Sequence, residues 1–276
     1  VTGPAMGRPK SATFRTLDMV GLDVFLHVAQ NVGEKVTEDW EKAAFEIPEF
    51  LQQMNEKRWL GSKTGQGFYK KEKNGKEKKI LTLDIDSMEY RDQKKAKFSS
   101  LEAAKSASSV PGRIRALLKA GDKGSEFAWK ALRGMMIYSA LKAEEIADDI
   151  VSVDRAMRWG FNWELGPFET WDAIGVQQVA ERIAADGLEV PALVKEMLAA
   201  GIESFYKKEA GKTLFYDFKT KAYKEMEVPF GTIYLSDVKE KNGVVLSNSG
   251  ASLIDIGDGV ACLELHPARQ ALGPDV

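Results

Sequence analysis

The feature that most constrains this chain is a short pattern that occurs twice. F-x-T-x-D-x-V-G begins at Phe14, and F-x-T-x-D-x-I-G begins at Phe168. Each copy follows a Gly/Pro turn and precedes an amphipathic helix, and each is followed by the tetrapeptide FYKK, at Phe68 and at Phe205. Because two landmarks recur in the same order, the sequence predicts two related helical units packed against each other.

Helical periodicity dominates the first 200 residues or so, which predicts a mainly α fold. A helix is predicted over residues 17–36, and Pro48 is predicted to open a second helix with Gly61 as its C-terminal cap. Ser152 is predicted to cap a further helix. The remaining predicted helices cover residues 125–146, 152–159, 168–185 and 191–200. Alternating residues around a Gly-Asp-Gly turn predict a short C-terminal β-hairpin over residues 252–265.

The lysine- and glutamate-rich run at residues 70–79 predicts a solvated turn or linker. The predicted domains are a first helical unit, a linker, a second helical unit and the start of a further domain, at residues 1–72, 73–110, 111–230 and 231–276. The first unit has no counterpart of the long helix at 125–146, and a new β pattern begins shortly before the end of the sequence. We therefore expect a piece of a longer polypeptide, cut at both ends. Helix packing between the units is expected to bury Phe25, Phe127, Met136, Trp159 and Trp171.

Composition excludes several classes of function. The formal charge of -2 gives no electrostatic basis for binding nucleic acid or an anionic membrane. No apolar run approaches the roughly 20 residues of a membrane span. A single cysteine, Cys262, excludes an intrachain disulfide and suits a reducing compartment, so we expect a cytoplasmic protein. His27 has no cysteine or histidine at ligand spacing, and no metal site is expected.

Three stretches resemble the C-terminal domain of the 3-hydroxyacyl-CoA dehydrogenase family. They are GRPKSATFRTLDMVGLD at residues 7–23, GSKTGQGFYK at 61–70 and DRAMRWGFNWELGPFETWDAIG at 154–175. Tandem copies resemble the multifunctional proteins of fatty-acid β-oxidation more than the short single-copy enzyme. The tail at residues 248–276 resembles the opening of a crotonase-type enoyl-CoA hydratase domain, although Gln270 stands where that pattern has asparagine. The resemblance implies a dehydrogenase–hydratase fusion protein.

That family is an oxidoreductase that oxidises 3-hydroxyacyl-CoA to 3-ketoacyl-CoA. Its NAD lies on a Rossmann domain, and a His–Glu pair acts as the base. Here no G-x-G-x-x-G follows a strand, and His27 and His266 lie outside any similar motif. The resemblance thus implies that this chain holds no catalytic residue, is inactive alone, and works with an upstream Rossmann domain and an acyl-CoA substrate. Both a homodimer and a monomer remain open.

Two residues are candidates for binding. In the resembled family, the lysine that matches Lys63 approaches the bound NAD, where its charge could contact phosphate or ribose; the alternative is a surface lysine near a helix C-terminus. Trp159 stands where the fusion enzymes place an aromatic near the acyl-CoA; the alternative is core packing.

Four further residues are expected to be structural. Asp18 and Asp172 hold matched positions, and we expect each to cap its helix or interact with the helix dipole. Gly65 and Gly67 are expected to serve backbone geometry.

Two other functions remain as alternatives to the dehydrogenase region. The first is a non-catalytic helical interaction or dimerisation module that keeps the same scaffold. The second takes enoyl-CoA hydration as the main activity and requires a full hydratase domain after residue 276.

Overall fold

Helices make up most of the regular structure, and small antiparallel sheets complete it. The computed structural model describes residues 1–74, 77–209, 211–228, 231–267 and 273. By its contacts the chain forms two compact units, Val1–Ala131 with Asn162–Glu164, and Leu132–Phe161 with Leu165–Val276. The fold is mainly α with some β, as the periodicity indicates; the domain boundaries given above remain predictions.

The first unit opens with a 3₁₀ turn at Pro4–Met6 and contains helices and one sheet. Its helices are α1 (Ala12–Val20), α2 (Leu22–Lys35), α3 (Asp39–Ala44), α4 (Glu49–Glu56), α5 (Ser99–Lys105) and α6 (Val110–Lys119). Its strands are β1 (Tyr69–Asn74), β2 (Glu77–Asp84) and β3 (Glu89–Asp92), in the order β1-β2-β3. Helix α7 (Lys123–Ile146) begins in this unit and continues into the second.

The second unit has the same kinds of element. Its helices are α8 (Ile150–Phe161), α9 (Pro167–Ile174), α10 (Val176–Ala185), α11 (Ala192–Ala199) and α12 (Leu235–Asn242). One sheet contains β4 (Tyr206–Glu209), β5 (Lys212–Asp217) and β6 (Ala222–Glu225), and the other contains β7 (Leu246–Ser247), β8 (Ala251–Gly257) and β9 (Val260–Leu265). We call residues 12–92 the first segment and residues 167–225 the second segment. In each segment, helices lead into an antiparallel sheet of three strands joined in chain order.

Two helices predicted as continuous are each interrupted by a glycine. Gly21 separates α1 from α2 with φ 105°, and Gly175 separates α9 from α10 with φ 113°. Such positive φ angles favour glycine and are incompatible with a continuing helix. Helical spacing on both sides of the break made residues 17–36 and 168–185 look continuous.

The predicted caps were also placed wrongly. Helix α4 ends at Glu56, so Gly61 lies beyond its end and does not cap it. Helix α8 begins at Ile150, and the carboxylate of Asp149, not Ser152, caps it by accepting the N–H of Ser152 at 2.7 Å. The long helix α7 and helix α11 lie close to where periodicity predicts them.

The charged run at residues 70–79, predicted as a solvated turn or linker, is largely β structure. Strands β1 and β2 pair antiparallel, with Lys71 opposite Ile80 and Glu72 opposite Lys79. The centre of the run lies outside the described residues. The opposite charges of Glu72 and Lys79 face each other across the two strands, and Lys79 also pairs with Asp92 of β3, which favours a hairpin in this polar sequence.

Two of the five residues expected in the core are buried. Met136 and Trp171 are fully buried, whereas the exposed fractions are 36% for Phe25, 54% for Phe127 and 76% for Trp159. The prediction was wrong for these three, because large aromatic side chains within a helix need not face its buried side. The core of the first segment instead forms around Leu22, Leu26, Met54 and Phe68.

The C-terminal hairpin is confirmed. Strands β8 and β9 pair with Ile254 opposite Cys262, and the turn contains Asp258 and Gly259, both with positive φ. Cys262 is half-buried, and Gln270 lies outside the described residues. Among the residues that the structure describes, no helix is both long and apolar enough to cross a bilayer, and no group of three or more potential metal ligands occurs.

Candidate functional site

The carboxylate of Asp18 connects α1 to the first sheet. Its Oδ1 accepts the N–H of Phe68 at 2.8 Å, and its Oδ2 accepts the N–H of Tyr69 at 2.9 Å. The side chain is buried, and this burial raises its pKa, whereas the two N–H donors act in the opposite direction. Asp18 therefore fixes the start of β1, 50 residues further along the chain.

Asp172 makes the same pair of bonds in the second segment. Its Oδ1 and Oδ2 accept the N–H groups of Phe205 and Tyr206, both at 2.7 Å. Burial raises the pKa of Asp172 to about 7. The aspartate of each F-x-T-x-D pattern thus binds the first two residues of the FYKK tetrapeptide that follows it.

These contacts correct the predicted helix-capping role of the two aspartates. Both lie in the last turn of their helices, α1 and α9, where a helix dipole disfavours a negative charge. Their role is structural, as expected, but they bind a distant strand. Sequence reasoning placed them early in a helix because it did not predict the breaks at Gly21 and Gly175.

A second buried carboxylate, Asp154, stabilises the second segment. It accepts the N–H groups of Phe168 at 2.8 Å and Glu169 at 3.0 Å, and the hydroxyl of Tyr206 at 2.8 Å. Burial, followed by the negative charge of Glu169, raises the pKa of Asp154 to about 7. Burial and the charge of Asp154 also raise the pKa of Tyr206, so its hydroxyl stays protonated and can donate.

Lys63 lies on a tight loop between α4 and β1. The N–H of Gly61 donates to the carbonyl of Gln66 at 2.8 Å, which closes the loop around the 3₁₀ turn Ser62–Thr64. Gly65 has φ 80°, and a Cβ on Gly67 would lie 2.6 Å from the Cα of Gly61. Both glycines therefore serve backbone geometry, as predicted.

The ammonium of Lys63 forms an ion pair that the sequence did not predict. Its Nζ donates to Oδ2 of Asp23 at 2.6 Å. A Cβ on Gly21 would lie 2.9 Å from the same Nζ, so the ammonium rests against the glycine that separates α1 from α2. The side chains of Lys63 and Asp23 are 44% and 42% exposed. An ammonium has three N–H donors, so Lys63 can donate to further acceptors while Asp23 orients it.

A cleft of about 350 Å³ lies between α2 and α4, beside this pair. Asp23 and His27 of α2 contribute to it, as do Asn55 and Glu56 of α4. The other lining residues are Leu26, Gln30, Ile47 and Gln52. His27 therefore lines a cleft of the first segment. The sequence placed His27 within a helix, but it did not indicate the cleft, because the cleft is formed by residues from a second helix.

Trp159 is far more exposed than core packing allows. Its indole is 76% exposed on α8, with the guanidinium carbon of Arg155 5.6 Å from the ring centroid. The prediction that this ring packs in a core is therefore wrong. Its proposed contact with the acyl-CoA remains a prediction.

Comparison with known proteins bears on the first segment most directly. Residues 3–71 match the family model described as 3-hydroxyacyl-CoA dehydrogenase, C-terminal domain. This range contains Asp18, Asp23, Lys63 and Phe68. No solved structure matches the chain.

Three curated relatives show how far the likeness extends. A probable 3-hydroxyacyl-CoA dehydrogenase of Bacillus subtilis is 49% identical over 276 residues, which is 100% of this chain and 34% of the relative. A second protein of that description, from Deinococcus radiodurans, is 46% identical over 76 residues, 28% of this chain and 21% of the relative. A putative fatty acid oxidation complex trifunctional enzyme of Rickettsia felis is 26% identical over 169 residues, 59% of this chain and 21% of the relative. The chain thus spans about a third or less of the length of the relatives it matches, and it is similar to 3-hydroxyacyl-CoA dehydrogenases.

Proposed function

We propose that this chain is the substrate-side helical region of an NAD-dependent 3-hydroxyacyl-CoA dehydrogenase of fatty-acid β-oxidation. The reaction oxidises 3-hydroxyacyl-CoA to 3-ketoacyl-CoA, in the cytoplasm. The observation that carries the proposal is the 49% identity with the Bacillus subtilis relative along the whole of this chain. The family match at residues 3–71 supports it, because those residues include the ion pair and the cleft.

In this proposal, the first segment faces the cofactor. NAD accepts the hydride when it is bound by a Rossmann domain outside this chain. Lys63, oriented by Asp23, contributes a positive charge to the phosphates or ribose of the cofactor. Trp159 offers an exposed aromatic surface to the acyl-CoA. The chain supplies binding and orientation, holds no catalytic residue and is inactive alone.

We further propose that the two segments are tandem copies of one helical domain, and that the C-terminal sheet opens a hydratase domain. The matched bonds of Asp18 and Asp172 support the duplication. Likeness to the trifunctional enzyme of Rickettsia felis supports a multidomain context.

The test is a chimera in which this chain replaces the matching segment of the Bacillus subtilis relative. Oxidation of a 3-hydroxyacyl-CoA is followed by the appearance of NADH. We expect activity in the chimera and none from this chain alone. A chimera that folds and binds NAD but does not oxidise the substrate, while the unaltered relative does, contradicts the proposal.

One observation favours the alternative, a non-catalytic interaction module. Helices α1 and α2 expose Met19, Val20, Val24 and Val28, with exposed fractions between 45% and 64%. Apolar side chains that cluster on a surface often mark a protein interface. The mass of the chain in solution decides whether copies associate, and the inactive chimera described above would favour this function over the dehydrogenase.

A further inference from the structure

An arginine in the first unit is partly buried and pairs with no carboxylate among the residues that the structure describes. The guanidinium carbon of Arg8 lies 4.0 Å from the centroid of the Trp163 ring. Within the described part of the chain, its guanidinium forms no ion pair or hydrogen bond. Burial lowers the pKa of Arg8 to about 10. A desolvated cation that lacks a counter-charge is costly, and a bound anion would offset this cost.

A second arginine forms an ion pair with Glu164, the residue that follows Trp163. Arg113 of α6 donates from Nη2 to Oε1 of Glu164 at 2.8 Å, while its Nε is buried and has no hydrogen-bond partner. The N–H of Glu164 donates to the carbonyl of Gly7 at 2.8 Å, so the loop that carries Arg8 is attached to the same short stretch. The guanidinium groups of Arg8 and Arg113 therefore both contact residues 163–164, and these two residues contain a single carboxylate, that of Glu164.

The loop that carries Arg8 is specific to the first pattern. From Gly7 the chain runs through Arg8, Pro9 and Lys10 before it reaches Phe14. In the second pattern, Gly166 and Pro167 lead directly to Phe168. The extra residues thus place a cation where the second pattern has a plain turn.

We propose that Arg8, stacked on Trp163 and supported by Arg113, binds a phosphate group of a small-molecule ligand. This inference rests on the proposed function, which supplies two sources of phosphate, coenzyme A and the dinucleotide. With one face of the guanidinium on the indole, its N–H edge remains available for the bidentate contact that arginine makes with phosphate. Glu164 does not compete for Arg8, because it pairs with Arg113.

Isothermal titration of the 276-residue chain with coenzyme A, dephospho-coenzyme A and NAD tests this site directly. We expect measurable binding of at least one ligand, and a loss of about tenfold or more in Arg8→Gln. Arg8→Lys, which keeps the charge but not the planar fork, should lose several-fold. The control is Arg91→Gln, since Arg91 is an exposed arginine of the same unit that pairs with Asp84. Its affinities should equal those of the unaltered chain.

The three ligands distinguish the source of the phosphate. Binding of coenzyme A alone assigns the site to its 3′-phosphate, whereas equal binding of dephospho-coenzyme A assigns it to the diphosphate that both share. Equal affinity of the unaltered chain and both Arg8 variants, or no binding of any ligand, overturns the proposal. If Arg8→Gln does not fold, as judged by thermal unfolding, Arg8→Lys decides, and unchanged affinity in that variant contradicts the site. These measurements involve no turnover. The chain can therefore show no phosphate site while the chimera is active, and it can bind the ligands while the chimera is inactive.

Discussion

The two segments share a framework but differ in the loops attached to it. In both, an aspartate at the end of a helix accepts the first two N–H groups of the FYKK stretch. In the first segment a closed loop separates Gly61 from Phe68 and carries Lys63, whereas in the second only Ile202, Glu203 and Ser204 separate Gly201 from Phe205. The difference suggests that the framework supports folding and that the loop with Lys63 is an addition of the first segment.

The residues near the ion pair differ in the same way. Asp23 follows Gly21 by two positions, and the residue two positions after Gly175 is Gln177. In the second unit, Asp154 of α8 is instead buried against Tyr206 of the second segment. Asp23 thus pairs with an exposed loop of the first segment, whereas Asp154 adds a second buried carboxylate beside the second segment.

The largest expected effect concerns Asp154. Its replacement by alanine leaves the buried N–H of Phe168, the partly buried N–H of Glu169 and the partly buried hydroxyl of Tyr206 without their acceptor. We expect a loss of about 3–5 kcal/mol in the free energy of unfolding, measured with urea. Asp148→Ala removes an exposed carboxylate and should change stability little. A small effect of Asp154→Ala would show that the buried carboxylate does not stabilise the second segment.

Glycine substitutions compare the two loops that precede the FYKK stretches. A Cβ on Gly61, which has φ 98°, would lie 2.7 Å from the Cα of Asp18, while nothing lies within 4 Å of one on Gly201, which has φ 75°. We expect Gly61→Ala to cost about 3 kcal/mol and Gly201→Ala about 1 kcal/mol. Thermal unfolding of both variants measures the difference. Equal losses would mean that the first loop is not packed against Asp18.

Stability should also depend on pH through the buried carboxyl groups. Burial raises the pKa of Asp154 and of Asp172 from 3.8 to about 7. Their contribution is complete below the unfolded pKa and is lost as the pH rises through the folded pKa. The free energy of unfolding should therefore fall as the pH rises from about 4 to about 7. Asp154→Asn should reduce this slope, and an unchanged slope in that variant assigns the titration to other groups.

The smallest effect on stability, but a specific effect on binding, is expected for Lys63. Lys63→Met in the chimera should raise the KM for NAD about three- to tenfold and leave kcat nearly unchanged, because an exposed cation contributes mainly to ground-state binding. The fold should lose no measurable stability, since exposed ion pairs contribute little. Lys207→Met, which removes an exposed ion-paired lysine from the second segment, is the control. Equal KM values for the two variants would remove the functional distinction between the segments.

Parts of the fold followed from local sequence, and other parts did not. Helix α7 and the C-terminal hairpin could be predicted because periodicity and turn residues act over a few positions. The strands at residues 70–79 could not, because their pairing depends on residues across the sheet rather than on composition. Of the candidate site, Lys63 was recognisable from its motif, whereas Asp23 and the cleft beside it were not.

By itself, the sequence determined that the chain is mainly helical and that one pattern occurs twice. Both can be read from the sequence because helical periodicity and short motifs involve residues that lie close together along the chain. The tertiary structure alone decided what the repeated aspartates do. Their partners lie 50 and 33 residues away, and Lys63 lies 40 residues from Asp23. Contacts over such distances arise only when helices pack and loops close, so the spacing of residues along the chain could not reveal them.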